Sequence, residues 1–405
     1  MKDDRPCLAF VSPLFLFPND AGGKIRSTNI LRGLKGGSFR VRLLLPASAE
    51  QQQRWAPELQ SVCDEYVPWQ PSMQRPRVWR ALDLLGDLPV NVAADRSKPA
   101  ERVIAQQLAR ADVDLMVFDF VHASVLRPPR LPVRSVCFTH NVEAEIFARH
   151  ALNAKDALRR WVWRSQHAKM HRFEAAALRQ YDTVIAVSER DAQHFKSEYG
   201  LSRAEAIPTG VDLGHFGWAL PPRSGAGQAP KVVFVGSMDS AANIDGVRFF
   251  IEQAWPRVLA SVPQAQLQIV GRRPPASLVA IGRRSTQVSF TGFVDDVRPF
   301  VRSAQVSVIP LLVGGGTRIK AFELMAMGCP VVSTAVGIEG LGVQAGEHHL
   351  ERDTADGMAD AVVTLLGNAG QRDALSQRAR AQVEQRFGHR IAAQVFEDIC
   401  LRTLA

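Results

Sequence analysis

The sequence has no run close to the ~20 consecutive apolar residues that a membrane-spanning helix requires. The strongest candidate for a targeting segment, residues 7–17, is broken by Pro13, follows Asp3 and Asp4, and lacks a small-residue cleavage site. It reads as a first strand with its loop, which gives a cytoplasmic protein as the expectation. Cysteine is scarce. Cys7, Cys63, Cys137, Cys329 and Cys400 are scattered, odd in number and without metal spacing. They read as small thiols in a reducing compartment and argue against a disulfide framework. No zinc-type Cys/His pattern, aromatic ribonucleoprotein stretch or basic run of five occurs, so nucleic acid is not an expected partner. No repeat or low-complexity tract stands out, and no cluster of metal ligands, so neither metal nor other cofactor is expected.

What is there is a soluble α/β pattern. Hydrophobic residues at 46% and charged residues at 22% describe a globular chain, and 405 residues exceed what one core usually serves. The net charge of +9 points to polyanionic partners, among them a membrane surface or phosphorylated substrates. Short, nearly continuous apolar runs fall at 7–11, 41–45, 115–120, 135–138 and 183–187, then at 231–235, 266–270, 288–290, 305–311 and 330–333. Such runs mark strands buried on both faces of a parallel sheet, and helical spacing between them makes repeated βα units. A Pro-, Gly- and Ser-rich stretch at 219–230 has no periodicity and reads as a linker. The expected organisation is therefore a Rossmann-like domain over 1–218, the linker 219–230, a second Rossmann-like domain over 231–388, and an amphipathic helix over 389–405 packing back on the first domain. Two facing doubly wound parallel sheets joined by one hinge predict a ligand cleft beyond the carboxyl ends of their strands.

The most informative segment runs from Val306 to Val332. A strand leads into Gly314-Gly315-Gly316, a helix from about Thr317 to Met327 follows, and Gly328 is the expected terminator. Consecutive glycines let another molecule approach the backbone, and the helix N-terminus behind them favours a phosphate. Lys320 and Glu323, three apart, share one helix face, while Ile319, Phe322 and Ala326 form a core face. A cation for a diphosphate and a carboxylate for two ribose hydroxyls are what a sugar nucleotide requires. The alternative is a solvated Lys–Glu pair on an ordinary helix.

This segment resembles the donor-site signature of retaining GT-B glycosyltransferases of the family 4 type. Those proteins typically carry two glutamates separated by seven residues, followed by Ala-Met-Ala-x-Gly-x-Pro-Val. Here Glu323 and Leu324-Met325-Ala326-Met327-Gly328-Cys329-Pro330-Val331 match the second half, and the first glutamate is replaced by Gly315. Further likenesses cover nearly the whole chain. Ile207-Pro208-Thr209-Gly210-Val211-Asp212 is similar to the segment closing the N-terminal domain, and residues 232–238, with Gly236, resemble the first strand and glycine turn of the donor domain. Residues 268–272, with Arg272, and 290–294, with Val294, resemble loops that line the nucleotide base. The resemblance implies a metal-independent retaining hexosyltransferase of GT-B fold with an interdomain cleft. Its donor would be a UDP- or GDP-linked sugar, and its acceptor a glycan or polyprenyl-linked glycan in polysaccharide or glycoconjugate biosynthesis. The family's usual Arg and Lys downstream of the glycine turn are replaced by Ser237, Met238 and Asp239, which leaves Arg318 and Lys320 as the cations for the diphosphate. Same-face attack is implied, with the departing phosphate taking the acceptor's proton. An epimerase or phosphorylase on the same plan, or a non-catalytic nucleotide-sugar-binding protein, are the rival readings.

In the first domain Gly22 and Gly23 precede a helix that carries Lys24 and Arg26; the arrangement is not Gly-x-Gly-x-x-Gly, which disfavours a dinucleotide oxidoreductase. In the resembled family this loop borders the donor phosphates. Phe138-Thr139-His140-Asn141 closes a strand, so His140 can meet the donor sugar or the acceptor hydroxyl, or else cap the next helix. His122 is similarly placed, and Arg26, His122 and Asn141 are expected on the acceptor side. The stretch 159–164 combines arginines with Trp161 and Trp163. It reads either as a helix face with partly buried indoles or as a peripheral contact with the cytoplasmic face of an anionic inner membrane.

Overall fold

The computed structural model describes residues 4–71, 83–152, 154, 156–219, 229–284, 286–313 and 319–405. The chain forms two compact units, one of residues up to Gly210 together with His389–Ala405, the other of the chain between them. The first holds seven strands: β1 (Cys7–Val11), β2 (Arg40–Pro46), β3 (Glu65–Trp69), β4 (Leu115–Asp119), β5 (Arg134–Phe138), β6 (Thr183–Ala186) and β7 (Ala204–Ala206). The second holds six: β8 (Lys231–Val235), β9 (Gln266–Val270), β10 (Val288–Gly292), β11 (Val306–Ile309), β12 (Val331–Ser333) and β13 (Leu350–Glu351). Every pairing within both sheets is parallel.

The strand orders are β3-β2-β1-β4-β5-β6-β7 and β10-β9-β8-β11-β12-β13. Each order reverses once, between β1 and β4 and between β8 and β11. Crossovers there leave in opposite directions and open a crevice at the carboxyl ends of the strands. All ten expected strands are present. The three that apolar runs did not announce, β3, β7 and β13, lie at sheet edges. Edge strands bury one flank less: β1 and β4 are buried at every residue, whereas β3 and β13 are almost wholly half-buried. An edge also tolerates Pro68, which has no N–H to give a ladder.

The linker expected at 219–230 lies mostly outside the described residues. Residues 211–218, expected in the first domain, belong instead with the second unit because their backbone is held there. Val211 N donates to Phe387 O, Ala219 N to Met327 O, and the Arg298 and Arg380 guanidinium groups donate to the carbonyls of His215 and Phe216. The helix His389–Leu404 packs in the first unit against the helix Gly22–Leu34. Gly33 is needed at that crossing, since a Cβ there would come within 2.1 Å of the Ala393 Cβ. Phe396 packs edge-on to Phe138.

Candidate active site

In the second unit the site forms at the switch point. A Cβ on Gly236, just past β8, would lie 2.8 Å from Lys320 Nζ and 2.9 Å from the Phe234 ring, and one on Gly271 would lie 1.9 Å from the Gly236 carbonyl oxygen. Only glycine fits either place, because backbone and ammonium both press on the turn. Lys320 Nζ donates to Asn243 Oδ1 at 2.9 Å and stands 5.2 Å from the centre of the Phe234 ring. Asn243 in turn donates to the Ser237 carbonyl at 2.7 Å. Arg272 joins the same turn, with Nε 2.8 Å from Asp239 Oδ2 and 3.3 Å from Ser237 Oγ. Gly236, Arg272 and Lys320 are thus brought together, with Asn243 as an organiser that carried no sequence signal. Val294 is half-buried against the apolar cluster around Phe322, on the edge-strand side.

Lys320 and Glu323 sit on the helix Ile319–Ala326. It ends in a Schellman arrangement. Gly328 takes φ +79°, Gly328 N donates to Met325 O and Cys329 N to Leu324 O. The half-buried Glu323 carboxyl accepts no hydrogen bond among the described residues. Burial pushes its pKa up to about 7, with the Lys320 charge opposing. A carboxyl group poised this way gains from any ligand that offers it two hydroxyls. Gly314, Gly315, Gly316, Thr317 and Arg318 lie outside the described residues.

The first unit's switch point holds a denser network. Asp119, the last residue of β4 and fully buried, accepts from Ser12 Oγ at 3.0 Å and from Ser27 Oγ at 2.9 Å, and its Oδ1 lies 2.7 Å from His140 Nε2. Arg26 Nη1 reaches His140 Nδ1 at 3.3 Å. Phe120 stacks on His140 with ring centres 4.0 Å apart, and on its other side meets His122 at 5.4 Å. Phe120 takes φ +68°, a left-handed backbone that a phenylalanine adopts only when its surroundings impose it. Gly23 accommodates that ring, since a Cβ there would come within 2.7 Å of it. The helix Gly22–Leu34 starts at Ala21 without a side-chain cap, so its first N–H groups are not spent on one.

His122 Nδ1 lies 3.2 Å from Asp95 Oδ2, and its Nε2 3.9 Å from Glu143 Oε1. Desolvation works against its charge, but hydrogen bonds to these two carboxylates outweigh it and hold the pKa up at about 10. Burial keeps the His140 pKa below the usual range despite Asp119. Asn141 Nδ2 donates to Glu143 Oε1 at 3.1 Å. Gly23, Arg26, His122, His140 and Asn141 therefore meet in one network, completed by Asp95, Asp119 and Glu143, which the sequence analysis did not single out. Asp119 had a readable signal, an acid closing a buried strand; Asp95 and Glu143 had none.

Of the two indoles, Trp163 packs on Phe147 and His150, whereas Trp161 is 66% exposed, and so are Leu158 at 71% and Leu152 at 81%. Among the described residues no helix is long and apolar enough to cross a membrane, and no three His, Cys, Asp or Glu side chains group to hold a metal ion.

Residues 229–368 match the family described as glycosyl transferases group 1, and residues 27–215 that described as glycosyltransferase family 4. The chain belongs to the group 1 glycosyltransferases. Its fold is shared by a glycosyltransferase from Rickettsia africae, at 14% identity over 99% of each chain with a TM-score of 0.69. Sucrose-phosphate synthase from Thermosynechococcus elongatus aligns over 98% of each chain at 19% identity and a TM-score of 0.68. HepE from Anabaena, in complex with UDP and glucose, covers 97% of this chain and 99% of its own at 15% identity, TM-score 0.65. These likenesses establish the GT-B fold. No curated protein matches the sequence.

Proposed function

We propose that this glycosyltransferase is a retaining hexosyltransferase, which moves a hexose from a UDP- or GDP-sugar to a hydroxyl of a glycan or lipid-linked glycan. The observation that carries this reading is the Glu323 carboxyl, without a hydrogen-bond partner among the described residues and one helical turn from the Lys320 ammonium, at the switch point of the second sheet. Glu323 would accept from the two ribose hydroxyls, and Lys320 and Arg318 would face the diphosphate. The turn of Gly236 and Arg272 and the loop of Val294 would flank the nucleotide, with Gly314–Gly316 and Thr317 as further donor-binding residues. HepE binds UDP and glucose, which supports the uridine choice.

In the reaction the bond from the sugar's anomeric carbon to the diphosphate oxygen breaks and leaves its electron pair on that oxygen. The acceptor hydroxyl attacks from the same face, and its proton passes to the departing phosphate. The barrier is then set by stabilisation of the growing phosphate charge, work that fixed cations and helix N–H groups perform in place of a metal. On the other side His140, Gly22 and Gly23 would meet the sugar and phosphates, and Arg26, His122 and Asn141 would order the acceptor's surroundings. The exposed Leu158 and Trp161, interleaved with Arg159, Arg160 and Arg164, suit peripheral contact with an anionic cytoplasmic leaflet. That would keep a lipid-linked acceptor close and matches a role in glycoconjugate or polysaccharide biosynthesis.

A thermal-shift panel of UDP-, GDP- and ADP-sugars tests the donor. The cognate nucleotide should raise Tm increasingly with concentration, because it binds only the folded state. The anomeric configuration of the product, read by NMR with the accepted donor, tests retention; an inverted product rejects it. Transfer that survives exhaustive chelation supports independence from metal.

A further inference from the structure

Arg26 is a costly residue in its place. It is 3% exposed, and its Nε and Nη2 groups have no hydrogen-bond partner. Among the described residues its hydrogen bond goes to a ring nitrogen of His140 rather than to either of the carboxylates, Asp119 and Asp191, whose charges act on it. A guanidinium kept only for charge balance would pair bidentately with a carboxylate. This one instead spends its bond on His140.

The consequence is a fixed proton position. A guanidinium has donors and no acceptor and does not deprotonate in proteins, so His140 Nδ1, 3.3 Å away, must be the acceptor. The ring proton is then on Nε2, where it donates to Asp119 Oδ1 at 2.7 Å. We propose that Arg26 is a positioning residue that locks His140 as the neutral Nε2–H tautomer and forbids its imidazolium form. Protonating Nδ1 would set two donors against each other and a second positive charge beside the first. The remaining groups that face the ring are Ser27 on the helix Gly22–Leu34, Phe120 and His122 after β4, Phe138 on β5, and Glu143 on the helix Glu143–Leu152. Of these only Glu143 favours an imidazolium, and it is already engaged by His122 and Asn141.

With both nitrogens engaged, His140 does not serve as a proton acceptor in this state. Its contribution to transfer is a rigid ring and a backbone of known placement at the end of β5. The functional weight of the lock rests on the proposed role of His140 beside the sugar; the lock itself does not.

The test is the ring-nitrogen NMR spectrum of the full chain labelled with ¹⁵N-histidine, with His140→Gln to assign the signal. The wild type should show His140 as neutral Nε2–H at every pH at which the protein stays folded. In Arg26→Met the ring should titrate, with a pKa higher by about one unit or more, a tenfold change in proton affinity. The pH profile of turnover in that variant should gain an acid limb. Arg26→Lys, which keeps a cationic donor, should restore the wild-type spectrum. An Nδ1–H or imidazolium signal in the wild type overturns the proposal even if Arg26→Met does not fold. A wild-type spectrum in Arg26→Met overturns it equally. Unimpaired turnover of His140→Gln would remove His140 from the proposed reaction while leaving the lock intact, so the two failures are distinguishable.

Discussion

The two switch points contrast in how far their polar groups are satisfied. In the first unit Asp119 has hydroxyl partners on two elements and the ring N–H of His140, and His122 is held between Asp95 and Glu143. In the second unit the Glu323 carboxyl has no hydrogen-bond partner among the described residues and its ionisation is suppressed, while Gly236 and Gly271 leave backbone rather than side chain at the surface of the turn. The first, apart from two N–H groups of Arg26, is bonded within itself, and its geometry is paid for in folding. The second leaves electrostatic work for a ligand to complete. A transferase needs both: groups that do not move relative to the reacting carbon, and groups whose energy is released only when the nucleotide arrives.

The largest effect that would break this contrast is on folding. Asp119→Ala strips Ser12, Ser27 and His140 of their shared acceptor and should lower stability by roughly 3–5 kcal/mol, the scale for a broken buried charged network. Urea denaturation of the variant measures it, and a loss below 1 kcal/mol would show the scaffold to be far less committed than it looks. Next comes Lys320→Ala, expected to lower kcat by ~10²–10³ with stability little changed, as for loss of one transition-state donor. Equal loss of folding stability would place Lys320 with the scaffold instead.

Glu323 separates binding from turnover. Glu323→Ala should weaken nucleotide affinity by about 1.5–3 kcal/mol, the scale for hydrogen bonds to a charged group, with kcat less affected. Its pH dependence has a definite sign. The free carboxyl is raised to about 7, and two hydroxyl donors favour its ionised form, so binding must release a proton below that pH. Affinity should therefore be steady above pH 7 and fall by about tenfold per pH unit below it, as linkage requires. Calorimetric titration at several pH values checks this, and Glu323→Gln should flatten the profile. The smallest effect is at the surface. Trp161→Ala should change stability by less than about 0.5 kcal/mol, while weakening sedimentation with anionic vesicles.

Much of the architecture was legible because inner strands of a parallel sheet must be apolar on both faces, which shows as a short continuous apolar run at each of them. β1, β8 and β9 were read to the residue. β3, β7 and β13 were not, since an edge strand such as Glu65-Tyr-Val-Pro-Trp69 need not be apolar throughout. At the candidate site the glycines, Lys320, Glu323 and His140 were readable as residue types in telling positions. The strained backbone of Phe120 was not, because nothing local to a phenylalanine announces a positive φ.

By itself the sequence determined two parallel α/β sheets, where close backbone approach is allowed, where the helix Ile319–Ala326 stops, and the glycosyltransferase family. The first three are written in neighbouring residues, as periodicity or as the presence of glycine, and the family through the resemblance of its motifs. Only the tertiary structure decided which polar groups meet: Ser12 and Asp119 are 107 positions apart, Arg26 and His140 are 114, and Lys320 and Asn243 are 77. It also decided their protonation. The charge on His122, the neutrality of His140 and the raised pKa of Glu323 follow from burial and from partners across the sheet, which the order of residues along the chain does not specify.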